Sequence, residues 1–133
     1  MTATFTGGIS FTGGVTFSVA PPPEKKAIFG YGYGTAFTAV TNLVSNTGVV
    51  ANDTAGVGTA RYLLAAASYG SDKAIFGYGI SSGVYRSMTN LVSNAGVVAS
   101  DTTGVGTARE ALAAAGYGTD KAIFGYGNTG SLT

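Results

Sequence analysis

The sequence contains no cysteine and no histidine among its 133 residues. Their absence excludes disulfide bonds, thiol nucleophiles and imidazole bases, together with nearly every zinc or copper site. Because most enzyme classes depend on such groups, the composition predicts a protein without enzymatic activity. We also expect that the protein needs neither a metal nor a cofactor.

Charged residues are scarce as well. They make up 10% of the chain, and seven basic against six acidic side chains leave a net charge of +1. The longest run of like charge is the pair Lys25-Lys26, which is too short to attract a phosphate backbone. We therefore expect no nucleic-acid partner.

Long apolar runs are the third missing feature. The sequence has no run near the roughly 20 apolar residues that a membrane helix requires. Its N-terminus lacks the basic start and the continuous apolar core of a secretory signal. The sequence therefore predicts neither membrane insertion nor a signal peptide.

Glycine is abundant, with 22 residues, and threonine, serine, alanine and valine recur throughout the chain. This composition favours short strands and tight turns over exposed amphipathic helices. A hydrophobic content of 45% is sufficient for a folded core. The predicted fold class is all-β.

An internal repeat organises most of the chain. The heptapeptide Lys-Ala-Ile-Phe-Gly-Tyr-Gly begins at Lys26, Lys73 and Lys121, at intervals of 47 and 48 residues. The stretch Thr-Asn-Leu-Val-Ser-Asn occurs at residues 41–46 and again at 89–94. A fixed interval of this length is the signature of a repeat protein.

The repeat divides the chain into two parts. Residues 1–23 form an N-terminal arm, and residues 24–133 hold two repeats, 26–72 and 73–120, followed by a closing strand at 121–127. Apolar runs bounded by Gly, Asn and Asp predict four short strands in each repeat. They span 27–31, 37–45, 49–53 and 63–69 in the first copy, and 74–78, 85–93, 97–101 and 112–117 in the second; 122–126 begins a third.

The alanine-rich strands have a helical alternative. Residues 107–116 combine a capping-box pair, Thr107 and Glu110, with good helix formers and a terminal Gly116. The equivalent segment of the first copy has Tyr62 in place of the glutamate and Ser68 near its end, so the helical signal does not repeat. We therefore predict strands at both places.

The repeat resembles a known family. Its motif Gly-Thr-Ala-Arg, then Leu-Ala-Ala-Ala-x-Tyr-Gly-x-Asp-Lys-Ala-Ile-Phe-Gly-Tyr-Gly, resembles the blade of kelch or galactose-oxidase-type proteins, although a tyrosine separates the glycine pair of that family. With the Thr-Asn-Leu-Val-Ser stretch, residues 26–127 are similar to tandem kelch-like repeats in virion proteins of tailed phages, especially marine and cyanobacterial ones. The resemblance implies β-propeller blades and a structural role on a virion. The oxidase's copper ligands have no counterpart here.

Two blades cannot close a propeller, which usually has four to eight. A lone pair would expose strand edges and apolar faces, and association between chains would cover them. We therefore expect a homo-oligomer. A trimer is favoured, because three chains would supply six blades and because threefold symmetry is common in phage fibres. An open solenoid or stacked filament is the alternative.

The N-terminal arm has its own pattern. Apolar residues or glycines occupy the odd positions, and threonine, serine or glycine the even ones, as in a strand with one buried face. The apolar members are Phe5, Ile9, Phe11, Val15 and Phe17. A following triple proline stiffens the chain into a spacer. We interpret the segment as a docking arm for other virion proteins; an extra strand folded onto the head is the alternative.

The residues that differ between the copies are the candidates for surface binding. They lie in the turn whose length changes, where recognition is usual. They are Tyr33, Thr35 and Phe37 in the first copy and Ser81, Ser82, Tyr85 and Arg86 in the second. Aromatic rings beside hydroxyls suit the faces of sugars, so a cell-surface glycan is a candidate ligand.

Residues that recur in every copy have predicted structural roles. Packing is expected for the tyrosines of the heptapeptide, and turn capping for the aspartates at equivalent positions. Arg61 and Arg109 are expected to bond backbone carbonyls.

Together these features predict a virion surface component, such as a small fibre, knob or decoration protein, released by lysis without an export signal. A free oligomeric lectin and an extracellular filament subunit are the alternatives.

Overall fold

A computed structural model describes Gly13 and residues 25–130 of the chain. Nine strands lie in this range: β1 (Ala27–Tyr33), β2 (Phe37–Val44), β3 (Ala65–Tyr69), β4 (Lys73–Gly77), β5 (Ile80–Ser81), β6 (Val84–Tyr85), β7 (Thr89–Val92), β8 (Ala113–Tyr117) and β9 (Lys121–Gly125). The described residues contain no helix. The prediction of an all-β fold is confirmed. The predicted docking-arm residues Phe5, Ile9, Phe11, Val15 and Phe17 lie outside the described residues.

The strands form three successive units, and every pairing is antiparallel. The first unit is the hairpin β1-β2, the central unit is the sheet β3-β4-β7, and the third unit is the hairpin β8-β9. A separate small hairpin, β5-β6, lies within the central unit's sequence. No sheet of the described residues closes on itself, so propeller closure remains a proposal.

The sheets combine strands from neighbouring sequence copies. The alanine-rich β3 ends the first predicted repeat, and it pairs with β4, which begins the second. In the same way β9, the predicted closing strand, pairs with β8 inside its own chain. The central unit and the third unit therefore both begin at an alanine-rich strand, β3 or β8.

Two predicted strands are shorter in the structure. Residues 49–53 contain a single isolated bridge, Val44↔Val50, and a second one, Thr41↔Thr54, follows directly. Residues 97–101 repeat this arrangement with Val92↔Val98, followed by Thr89↔Thr102. The predicted strand 85–93 is split between β6 and β7. The Tyr78 amide bonds the Met88 carbonyl at 2.9 Å, and the Arg86 amide bonds the Gly79 carbonyl at 2.8 Å. These bonds replace continuous pairing.

The alanine-rich segments are strands, as predicted, because the backbone turns just before each of them. Leu63 and Ala111 occupy equivalent positions with φ of 53° and 50°. A right-handed helix cannot pass through a residue in that conformation. The Ala111 amide also bonds the Leu63 carbonyl of the preceding copy at 2.8 Å. Neighbouring units thus override the helical propensity of alanine.

The apolar core lies between the first and central units. Tyr31, Ala39, Phe76, Val92 and Val98 form one buried cluster. The rings of Tyr31 and Phe76 lie 5.2 Å apart between centroids, in a tilted arrangement. Tyr78 and Phe124 make the equivalent contact at 5.5 Å between the central and third units. The predicted packing role of the heptapeptide tyrosine is confirmed for Tyr31 and Tyr78.

The glycine of the heptapeptide provides space for this aromatic contact. A Cβ atom added to Gly77 would lie 2.9 Å from the Phe124 ring, whereas one added to Gly125 would meet no atom of the described residues within 4 Å. We predict that Gly77→Ala lowers the free energy of unfolding by about 1–3 kcal/mol, the usual cost of overpacking. Gly125→Ala, the matched control, should stay within about 0.5 kcal/mol of wild type. Urea unfolding of both variants measures the difference, and equal stabilities would contradict this packing.

Candidate functional site

The polar network around Arg61 is the most buried group of titratable side chains. Arg61 and Asn90 are both 0% exposed. The guanidinium donates to the carbonyls of Tyr78 (2.8 Å) and Thr59 (3.0 Å) and to the side-chain oxygen of Asn90 (2.6 Å). Its carbon atom lies 4.6 Å from the centroid of the Tyr31 ring, in a cation–π contact.

Asp101 completes this network at its solvent side. Its carboxylate accepts hydrogen bonds from the Thr59 amide and hydroxyl and from the Asn90 amide, and it lies 3.8 Å from the Arg61 guanidinium. Burial raises the pKa of Asp101, but these hydrogen bonds and the Arg61 charge outweigh burial and hold the pKa below its ordinary value. Burial likewise lowers the pKa of Arg61 and raises that of Tyr31.

The network holds strands and loops together and offers no free group for chemistry. Each of the three guanidinium nitrogens of Arg61 donates to an acceptor within the protein, and Asp101 accepts hydrogen bonds from Thr59 and Asn90. Arg109 repeats part of the pattern by donating to the carbonyls of Tyr126 and Thr107. The prediction that both arginines bond backbone carbonyls is confirmed.

An exposed aromatic cluster lies at the end of the β1-β2 hairpin. Tyr33 and Phe37 are cross-strand partners, and their ring centroids lie 5.2 Å apart. Tyr62 packs on both, at 5.5 Å from Tyr33 and 5.6 Å from Phe37. Tyr33 is 61% exposed, so part of the cluster faces solvent. Thr35 is exposed in the loop that joins the two strands.

Backbone pairing links this cluster to the variable turn of the second copy. Tyr62 and Ile80 bond each other's backbone at 3.1 and 2.9 Å, and Ile80 is the cross-strand partner of Tyr85. Residues directly opposite each other in antiparallel pairs share a face of the sheet. Tyr62, Ile80 and Tyr85 therefore form one row beside Tyr33 and Phe37. We call these five residues together the aromatic row.

The serines of the variable turn lie at the tip of the β5-β6 hairpin. Ser82 and Gly83 have φ of 51° and 74°, as expected for the tight two-residue turn of a hairpin. Ser81 is buried, at 7% exposure, while Ser82 is exposed. Of the two predicted serines, only Ser82 is available to a ligand at the surface.

Arg86 and Tyr85 line an open groove of about 380 Å³. Its other wall carries Asp101, Thr102 and Thr103. The Arg86 Nε atom is buried and has no hydrogen-bond acceptor among the described residues. The groove thus combines an aromatic ring, a guanidinium and hydroxyl groups next to one end of the aromatic row.

The seven candidates from the sequence therefore fall into two adjoining places. Tyr33, Thr35 and Phe37 lie at one end of the aromatic row. At the other end, the β5-β6 hairpin and the residue after it carry Ser81, Ser82, Tyr85 and Arg86. Sequence reasoning missed Tyr62, whose equivalent in the second copy is Glu110. The same criterion, a difference between the copies, would have found it.

The described residues contain no group of three or more acidic, cysteine or histidine side chains arranged to hold a metal ion. Within the same part of the chain, no helix has the length and apolar character needed to cross a membrane. No protein-family model matches the sequence, and no curated protein matches it either.

Arg61 should dominate the stability of the central unit. We predict that Arg61→Met lowers the free energy of unfolding by about 3–5 kcal/mol, because it removes three hydrogen bonds and leaves Asn90 and Asp101 without their cation. The matched variant Arg109→Met should cost only about 1 kcal/mol, since Arg109 is half-exposed. Chemical unfolding of both variants tests this, and equal losses would contradict the assignment.

The Asp101 carboxylate should make the free energy of unfolding decrease at acid pH. Because its pKa is lowered in the folded state, its ionised form stabilises the fold at neutral pH, and that stability is lost as pH falls through the folded pKa. We predict that Asp101→Asn is less stable than wild type at neutral pH, and that the gap narrows between about pH 5 and about pH 2. Thermal unfolding across this range measures the gap. Asp53→Asn is the control, because Asp53 forms no ion pair with a described residue; a gap independent of pH would refute the prediction.

Proposed function

We propose that the protein is a structural and binding component of a virion surface, such as a small fibre, knob or decoration protein. One observation carries the proposal: the contacts between units repeat from one unit to the next, whereas one surface turn differs between the copies. The contacts between units use the same tyrosine, phenylalanine and arginine positions each time. The differences are concentrated in the aromatic row and the groove beside it. A rigid scaffold that varies at one turn is suited to recognition.

The location on a virion comes from the resemblance of the repeat to kelch-like repeats of phage virion proteins. In this proposal the head is a kelch-like propeller completed by association of several chains, with a trimer favoured. Strand edges support association: among residues 25–130, β1 pairs only with β2 and β9 only with β8, whereas β4 is paired on both edges. The N-terminal arm attaches the head to other virion proteins.

We propose a binding role without catalysis. The repeated aspartates support it, because they bond neighbouring side chains in the manner of structural residues. Asp101 holds Thr59 and Asn90, and Asp53 accepts from the Asn42 amide at 2.8 Å. An acid–base pair for glycoside cleavage needs two carboxylates in different environments across one bond. At both positions the carboxylate instead accepts a hydrogen bond from the side-chain amide of an equivalent asparagine, Asn42 or Asn90, which is a structural role.

A second candidate function, an oligomeric lectin free of any particle, is favoured by the aromatic row. The rings of Tyr33, Phe37 and Tyr62 pack together with Tyr33 largely exposed, and Ser82 and Arg86 add polar groups in the adjoining hairpin and the residue after it. Such a combination suits a sugar, whose faces are apolar and whose rim carries hydroxyls. An extracellular filament subunit is a third candidate, since open association of the same units would produce one.

Immunogold labelling of particles from the native source, viewed by electron microscopy, separates these candidates. The virion proposal expects gold on the capsid, the tail or a fibre. Gold confined to filaments would favour the filament subunit. Absence of gold from particles, with the protein in the soluble fraction, would favour the lectin and contradict the virion proposal.

The aromatic row should carry binding to the target surface. We predict that the double variant Tyr33→Ser and Tyr62→Ser binds host cells or an arrayed glycan at least about tenfold more weakly, because about 1.4 kcal/mol of ring contact is lost. Tyr117→Ser is the matched control, since Tyr117 is 53% exposed but lies in the third unit, outside the row. Equal binding of the double variant and the control would show that the row is not the binding surface.

A further inference from the structure

The contact between successive units occurs twice within the chain, each time between residues at equivalent positions of the repeat. Tyr31 of the first unit packs on Phe76 of the central unit, and Tyr78 of the central unit packs on Phe124 of the third. The hydroxyl of each tyrosine also donates to the loop that follows its unit: Tyr31 to the Val57 carbonyl at 2.9 Å and Tyr78 to the Val105 carbonyl at 3.2 Å. The interface therefore has a direction, from the tyrosine of one unit to the phenylalanine of the next.

The outer units expose one half of this contact each. Phe76 is 3% exposed, but its equivalent in the first unit, Phe29, is 52% exposed. Tyr31 is 9% exposed, but its equivalent in the third unit, Tyr126, is 86% exposed. All three tyrosines keep the same backbone, with φ of 61°, 64° and 64° at Tyr31, Tyr78 and Tyr126. Tyr126 is thus held in the conformation that presents its ring to a following phenylalanine.

The space for that phenylalanine is present as well. At Gly77 the ring of Phe124 lies so close that an added Cβ would be 2.9 Å from it. At the equivalent Gly125 no described atom lies within 4 Å of such a Cβ. The third unit therefore carries both an outward tyrosine and an unfilled position beside it, and the first unit carries the matching phenylalanine.

We propose that a second copy of this chain occupies the position, with Phe29 of one copy against Tyr126 and Gly125 of the other. The inference rests on the proposed oligomeric assembly and identifies its interface. The occupant is argued from continuity with the interface inside the chain, which already joins these residue types in this order twice. The contact is head to tail, so each copy uses two different surfaces.

A head-to-tail contact does not fix how many copies assemble. Such an interface produces a ring when the rotation between copies closes, and a filament when it does not. A trimeric head and an open stack would therefore use the same residues. The number of copies depends on the angle between units, while the identity of the contact does not.

The absence of cysteine permits a direct test by cross-linking of the full chain. We would prepare Phe29→Cys and Tyr126→Cys separately and treat each, and their mixture, with a short bismaleimide. Both positions are exposed in the structure, so neither change removes a buried contact. Tyr78→Cys with Phe124→Cys in one chain calibrates the reagent, because those positions are already in contact. Val84→Cys, at an exposed hairpin position away from both surfaces, is the negative control.

A covalent dimer that appears in the mixture, but in neither single variant, supports the inference. A dimer of Phe29→Cys with itself, or of Tyr126→Cys with itself, would indicate a symmetric contact and overturn it. Light scattering on the untreated protein tests the oligomeric assembly separately from the interface between Phe29 and Tyr126. An oligomer without the mixed cross-link would overturn this interface and leave the oligomeric assembly standing. A monomer, in which residues 1–24 of the same chain or no partner at all covers Phe29, would overturn both.

Discussion

The left-handed tyrosine of the heptapeptide is the constraint on which the rest of the fold depends. A non-glycine residue in this region costs about 1–3 kcal/mol, and persists where its surroundings determine it. Here the surroundings act on both sides of the residue. The Tyr78 carbonyl accepts a hydrogen bond from the Arg61 guanidinium. The Tyr78 ring packs on Phe124, and the Tyr78 hydroxyl donates to the Val105 carbonyl. One strained residue thus ties its own unit to the preceding loop and to the following unit.

The same constraint explains why Arg61 is tolerated in the core. A buried guanidinium is costly unless its donors are satisfied and a counter-charge lies nearby. The turned Tyr78 carbonyl and the Thr59 carbonyl supply acceptors, Asn90 supplies a third, and Asp101 supplies the charge. The Tyr31 ring covers the face of the cation. Polar and apolar contacts between units are therefore parts of one arrangement.

The sequence allowed the all-β class, the repeat and most strands to be predicted, because those features follow from local pattern. The alanine-rich strands illustrate the limit: propensity alone left a helix open at residues 107–116, and the deciding feature is the φ of Ala111, which depends on a bond to Leu63 of the preceding copy. The reduction of the predicted strand 49–53 to a single bridge also depends on partners that local pattern does not reveal. Among site residues, Tyr33 and Phe37 were found by comparing the copies. Tyr62 also differs between the copies, but it lies outside the turn whose length changes, and its place beside Tyr33 and Phe37 follows from backbone pairing with Ile80.

The packing contact between units and the aromatic row use different residues, so the units can differ in sequence at one and keep the other. The contact between units runs through the heptapeptide strands, whereas the aromatic row lies on the turns beyond them. Changes such as Tyr33 and Phe37 in one copy against Ser82 and Tyr85 in the other leave the Tyr31–Phe76 and Tyr78–Phe124 contacts in place. The turn can therefore change its residues without loss of the contacts that stack the units, and this is the physical condition that the proposed binding role requires.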